Sequence, residues 1–169
     1  MEEVEFLVHE EFEQPLADRF SKFIAGLSKP CIIYIDIESC GGFTEVLKQM
    51  GALIDIKKSE GYVFKTNVDD YAYSCGMLLF LMGDIKTASV VARFLFHSSG
   101  FDVFDRLTST DLRDMLEMLE EDDAFIEKVL SENTTLEPGM YEILKKNDNF
   151  LSRQDLIFLG FMEDEYELI

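Results

Sequence analysis

The sequence predicts an α/β fold built from parallel strands joined by helical crossovers, and three observations carry that reading. "CIIYIDI" (31–37) is a continuous apolar run rich in β-branched residues, the pattern of a strand covered on both sides. The segments flanking it carry apolar residues at helical spacing. In chain order the elements run strand, helix, strand, helix, strand, long helix, and parallel strands need such crossovers. At 169 residues, with 47% hydrophobic residues and 15 phenylalanines, the chain suffices for one domain over residues 1–169 with a substantial core.

Each element has its own signal. "VEFLV" (4–8) reads as a short strand. "PLADRFSKFIAGL" (15–27) opens on proline, a good first-turn residue, and puts Leu16, Phe20, Phe23, Ile24 and Leu27 on one helical face. The glycine pair Gly41-Gly42 stops the strand at 31–37, and "FTEVLKQMG" (43–51) reads as a helix ending on glycine. "GYVFKTNV" (61–68) is a further strand. "DDYAYSCGMLLFLMG" (69–83) then places Ser74 between a polar entry and an unbroken apolar helix. "VARFLFH" (91–97) is a buried strand stopping at His97. The longest helical signal follows: Leu112, Met115, Leu116 and Leu119 share one face, Ile126 and Leu130 extend it, and Thr108 with Asp111 has capping-box spacing. "EEDD" (120–123) rides the wet side of that helix or marks a bend.

Charge narrows the function. Fifteen basic residues face 34 acidic ones, net −19, and the imbalance is greater after residue 100. Such a surface repels nucleic acid and anionic lipid, so neither a nucleic-acid nor a membrane partner is expected. No apolar run reaches the ~18 residues of a membrane span. "MEEVEFLVHEEFEQ" is acidic where a secretory leader is basic and then apolar, which points to the cytoplasm. Cys31, Cys40 and Cys75 form no CxxC and no disulfide framework. Cys40, Cys75 and His97 lack an evident fourth ligand for zinc, so no metal and no cofactor is expected.

In a parallel sheet, functional groups collect beyond the C-terminal strand ends. Three turns belong there: "ESCGG", "DDYAYSCG" and "FHSSG". Ser74 heads a helix, and a serine within reach of a neutral imidazole becomes a nucleophile. His97 ends its strand and is the candidate base. Gly42 and Cys75, the residue after the serine, are the candidate amide donors to a developing oxyanion. Plainer readings stand beside these: Ser74 as a helix cap, His97 as a hydrogen-bonded core residue, Gly41-Gly42 as a turn, and Asp148 as one acid among 34.

The combination "IYIDIESCGG…AYSCGMLLFLMG…FLFHSSG…NDNFLSRQDLIFLGFMED" resembles the family of the Clp protease proteolytic subunit (ClpP), over most of the chain from about Val4 to Glu165. That family carries Asn-Ser-Pro-Gly-Gly, Ala-Ala-Ser-Met-Gly, a strand ending Met-Ile-His-Gln-Pro, and an acidic segment leading into Phe/Trp-Leu-Ser. The resemblance implies a ClpP/crotonase-like spiral of strand–strand–helix units with a projecting handle helix from Ser109. It implies a serine endopeptidase with Ser74 as nucleophile, His97 as base, Asp148 as the orienting acid, and Gly42 and Cys75 at the oxyanion hole. Its implied partners are a peptide or unfolded protein substrate, further copies of the chain in a heptameric ring or smaller assembly, and an ATPase unfoldase or a ClpP-type partner subunit. Departures are Cys40 for the proline before the glycines, Ser98-Ser99 for Gln-Pro, "SGFDVFDRLTSTD" for a glycine-rich handle strand, and Lys146-Asn147 for an Asp-Arg pair. The chain also starts near the family's first strand, so the axial loops that meet the ATPase are expected to be missing.

Two other classes compete. A catalytically silent subunit acting in assembly or regulation would share the fold, and the altered handle favours it. A crotonase-type acyl-CoA enzyme would share the spiral and the oxyanion hole. It needs a basic surface for CoA, which a chain of net −19 offers poorly.

Overall fold

Residues 2–100 and 106–164 are described by the computed structural model. Strands β1 (Glu3–Val8), β2 (Ile32–Ile37), β3 (Val63–Val68) and β5 (Ile85–Ala88) form a wholly parallel sheet in the order β1-β2-β3-β5. A second sheet of β4 (Tyr71–Tyr73), β6 (Arg93–Phe96) and β7 (Asn149–Ser152) pairs β4 parallel and β7 antiparallel to β6. Between the strands lie helices α1 (Gln14–Ala25), α2 (Thr44–Ser59), α3 (Cys75–Leu81), α4 (Ser109–Asn133) and α5 (Pro138–Leu144), and α6 (Arg153–Phe158) follows β7. β3–β4–α3 and β5–β6–α4 repeat one order, each sending one strand to each sheet. The result is a mixed α/β architecture with a parallel sheet, as the element order predicted.

Apolar periodicity dictated most of these elements. α1 buries Leu16, Ala17, Phe20 and Ile24, the face read from the sequence, with Pro15 in its first turn. α3 is buried on every side, which its unbroken apolar composition requires. Thr108 caps α4: its hydroxyl accepts from the Asp111 amide, while Asp111 accepts from the Thr108 amide at 2.7 Å.

Four expectations need correction. β2 is not covered on both sides: Ile33, Ile35 and Ile37 are buried, but Ile32, Tyr34 and Asp36 are only half-buried on the face opposite. α2 does not end at Gly51 but continues to Ser59. A Cβ at Gly51 would lie 2.6 Å from Met82 Cε, so this glycine leaves room for the end of α3 to pack against α2. β4, β5 and β7 escaped the sequence reading because each is only three or four residues long and lacks the continuous apolar run that disclosed the equally short β6. Finally, the stripe on α4 is real but mostly uncovered. Ile126, Val129 and Leu130 are buried, whereas Leu112 and Leu116 are 56% and 55% exposed. Residues 120–123 lie inside that helix without a break, and Asp122 pairs with Lys48 at 2.7 Å. The first five residues of "FDVFDRLTSTD" lie outside the described residues. Among the described residues no helix is long and apolar enough to cross a membrane.

The core links the strand ends to the helix that Ser74 heads. Phe80 of α3 and Phe94 of β6 are both fully buried, with ring centroids 5.1 Å apart. Phe80→Ala removes that contact and leaves a cavity, so unfolding free energy is expected to fall by about 3–5 kcal/mol. Urea denaturation followed by circular dichroism measures it, and an unchanged midpoint would contradict this account of the core.

Candidate active site

Ser74 occupies the junction between β4 and α3 with φ 52° and ψ −121°. Among the described residues it alone combines a Cβ with positive φ. These angles lie outside the regions open to a residue with a Cβ, and such strain costs about 1–3 kcal/mol. The helix-cap reading of Ser74 fails, because its side chain accepts no capping hydrogen bond. A strained serine at a strand-to-helix turn presents its hydroxyl outward, the arrangement known from nucleophile elbows.

Neighbours on all sides hold this turn. The Ser74 amide donates to Leu95 O at 2.8 Å, the Tyr73 amide to Ser39 O at 2.9 Å, and the Leu78 amide to Ser74 O at 3.1 Å. Gly41, at φ 100°, lies against the serine: a Cβ there would sit 2.6 Å from Ser74 Cβ and 3.2 Å from the Cys75 amide nitrogen. Ser39, 1% exposed, fixes the glycine pair by donating to Glu10 O at 2.6 Å and accepting from the Gly41 amide at 3.1 Å. Ser39 is the residue that sequence reasoning passed over, and Gly41 was read there only as half of a turn.

The two residues that offer candidate oxyanion donors, Gly42 and Cys75, are in contact through the Cys75 thiol. Phe12 bridges Gly42 in parallel fashion, donating to Gly41 O and accepting from the Phe43 amide, so Gly42's own amide and carbonyl face away from Phe12. That side is the one where Cys75 lies, since the Cys75 thiol donates to Gly42 O at 3.3 Å. The Cys75 amide is the first of α3 and has no acceptor within the helix. Burial pushes the Cys75 thiol up to about 11, so it stays protonated near neutrality.

His97 and Asp148 reach the same end of the small sheet. The β6–β7 ladder ends at the pair Phe96–Asn149; His97 directly follows the one and Asp148 directly precedes the other. Ser74 follows Tyr73, the partner of Leu95 on the other side of β6. The chain positions of all three thus lie at one end of this sheet. Their side chains are not joined into a hydrogen-bonded line. His97 is half-buried, not a core residue, and its Nδ1 is bonded to Ser98 O at 2.8 Å; Asp148 is exposed. A carbonyl only accepts, so that bond requires the proton on Nδ1 and leaves Nε2 its lone pair. The histidine–carboxylate contact that does form is His9 Nε2 with Asp36 at 2.8 Å, at the C-terminal end of the parallel sheet. No group of three or more metal-ligand side chains is assembled among the described residues. A cleft of about 1150 Å³, lined by Lys86, Asn133, Gln154 and Glu163 among others, lies apart from Ser74 and His97.

No family model matches the sequence, and no curated protein matches it. Among solved structures, the crystal structure of a peptidase from Plasmodium falciparum matches with a TM-score of 0.77 at 12% sequence identity, over 95% of this chain and 93% of that one. At that identity the likeness shows a shared fold.

The strain at Ser74 separates two substitutions that both remove the hydroxyl. Ser74→Gly relieves the positive φ and is expected to be more stable than Ser74→Ala by about 1 kcal/mol. Thermal or urea unfolding of the pair measures it, and equal stability would mean that the turn stores no strain.

Proposed function

We propose that this chain is a serine endopeptidase of the Clp proteolytic-subunit type, with the spiral of strand–strand–helix units that such a subunit has. Ser74 Oγ attacks a peptide carbonyl while His97 Nε2 takes its proton. The tetrahedral oxyanion is held by the Gly42 and Cys75 amides. His97 then protonates the leaving amine, and water hydrolyses the acyl-enzyme by the same route in reverse. Asp148 accepts from His97 Nδ1 once the imidazole turns from Ser98 O. The observation that carries this reading is the strained backbone of Ser74, a cost that neither capping nor packing explains. The fold shared with the Plasmodium peptidase supports it.

A second reading, a silent subunit with this fold, is favoured by the exposed Asp148 and by the engagement of His97 Nδ1 with a backbone carbonyl. Labelling decides between them. A small alkyl fluorophosphonate is expected to modify Ser74, located by mass spectrometry, and His97→Ala is expected to lower the labelling rate and peptide kcat/KM by about 10³-fold or more. A folded sample unlabelled at Ser74, alone or mixed with an active subunit of the same type, would leave the silent reading.

Assembly into a homo-oligomer belongs to the same proposal. It is supported by the open stripe on α4, where Leu112 and Leu116 stand exposed on a helix whose other half is packed. Leu112→Glu combined with Leu116→Glu is expected to reduce the native mass in sedimentation velocity. An unchanged mass would assign self-contact, if any, to another surface.

A further inference from the structure

Ser39 is a buried polar residue to which the mechanism assigns no step, yet three parts of the candidate site meet at it. Its backbone adds one rung to β4: the Ser39 amide donates to Tyr71 O at 3.4 Å, and the Tyr73 amide donates to Ser39 O at 2.9 Å. Ser74 is the next residue along. Its hydroxyl, in a residue only 1% exposed, gives its single proton to Glu10 O and accepts from the Gly41 amide. The first turn of α3 lies directly against it, since a Cβ at Gly76 would sit 3.2 Å from Ser39 O and 3.4 Å from Ser39 Cβ. Glu10 is a firm anchor, because Arg19 pairs with its carboxylate and also donates to Leu7 O at 2.7 Å. One residue thus ties the loop after β1, the glycine pair and the Ser74 turn together.

We propose that Ser39 is a positioning residue of the oxyanion hole: acting through Gly41, its hydroxyl aims the Gly42 amide at the oxygen that develops on the carbonyl attacked by Ser74. The proposal rests on the peptidase reading of Ser74. Its physical basis is the direction of one peptide plane. The Gly41 amide is held by Ser39 and the Gly41 carbonyl by the Phe12 amide at 2.7 Å, so both peptide groups that flank this α-carbon are fixed at φ 100°. In a trans peptide the N–H points opposite to the C=O, and the Gly42 N–H is therefore directed away from Phe12. Glycine alone would not keep that direction, because it moves among backbone states at little cost. With the hydroxyl removed, the Gly41 amide loses its acceptor in a place closed to water, and the Gly42 amide is free to turn. Donors fixed in advance act on charge that only the transition state carries, so their misalignment lowers kcat and leaves substrate binding intact.

The test compares wild type, Ser39→Ala and Ser39→Cys on one quenched peptide and on the peptide aldehyde of the same sequence. Ser74 Oγ adds to the aldehyde carbon, and the former carbonyl oxygen then occupies the hole. Ser39→Ala is expected to lower kcat by roughly 10- to 100-fold with KM held within about twofold, and to weaken aldehyde inhibition by a comparable factor. Ser39→Cys refills the space but is a weak donor and acceptor, and it is expected to lose at least about fivefold in kcat. The pH profile of kcat/KM is expected to keep its shape, since His97 and Asp148 keep their surroundings. Wild-type kcat in either variant overturns the proposal, as does a loss confined to KM or one that the aldehyde does not share. If Ser39→Ala shows no cooperative urea transition, Ser39→Cys decides by the same criteria. A wild type unlabelled at Ser74 by a small fluorophosphonate ends the peptidase reading separately. Ser39 is then judged by hydrogen exchange: a Gly41 amide exchanging at least about tenfold faster in Ser39→Cys than in the wild type keeps its hold on the glycine pair, and equal exchange ends it.

Discussion

The backbone of Ser74 is the constraint around which the rest is arranged. A residue with a Cβ at φ 52° and ψ −121° costs about 1–3 kcal/mol, so the fold must supply at least as much at that point. It does so locally. The bonds from the Tyr73, Ser74 and Leu78 amides, with that of Ser39 to Glu10 O, each contribute roughly 0.5–1.5 kcal/mol. Together they match or exceed the strain, and the buried α3 behind them keeps the junction from relaxing. Gly41 completes the clamp by approaching where any side chain would collide with Ser74 Cβ.

Topology turns this local device into a site. Because successive units send one strand to each sheet, β4 and β6 become parallel neighbours although β5 lies between them in sequence. Ser74 and His97 therefore emerge at the same end. β7 arrives antiparallel, so it is its beginning, not its end, that brings Asp148 there. The inner face of the same sheet carries Ala72, Phe94 and Phe96 into the core. One three-stranded sheet thus anchors the core through its inner face and carries the three candidate residues at one of its ends.

How much of this was legible follows from which signals are local. Helical periodicity gave α1 and the start of α4, and the apolar runs gave β2, β3 and β6, because burial imposes those patterns residue by residue. Gly51 misled because glycine also serves close approach between helices, and sequence does not separate that use from a stop. β2 misled because an apolar run states that a strand tolerates burial, not how many of its faces are covered. Leu112 and Leu116 have the spacing of a core face, yet only tertiary structure reveals that they stand exposed among the described residues. Ser74, His97 and Asp148 were singled out through the motif resemblance and not by any local signal of burial. The unformed bond between His97 and Asp148 and the hold of Ser39 on the glycine pair required coordinates.

The departures from the Clp motif acquire a physical sense in these surroundings. Where the family has proline before its glycine pair, Cys40 places no restriction on φ; the restraint comes instead from Ser39, whose hydroxyl bridges Glu10 O and the Gly41 amide. After the histidine, Ser98 stands where the family has glutamine. Its carbonyl receives His97 Nδ1, and its hydroxyl donates to Lys145 O at 3.0 Å, three residues before Asp148. In both places a serine ties down a turn that carries a candidate catalytic group. In the proposed mechanism the bond from His97 Nδ1 to Ser98 O is the one that loosens, so that Asp148 can accept in its place. A backbone bond of this kind is worth roughly 0.5–1.5 kcal/mol, so the proposed mechanism asks the imidazole to give up one weak interaction.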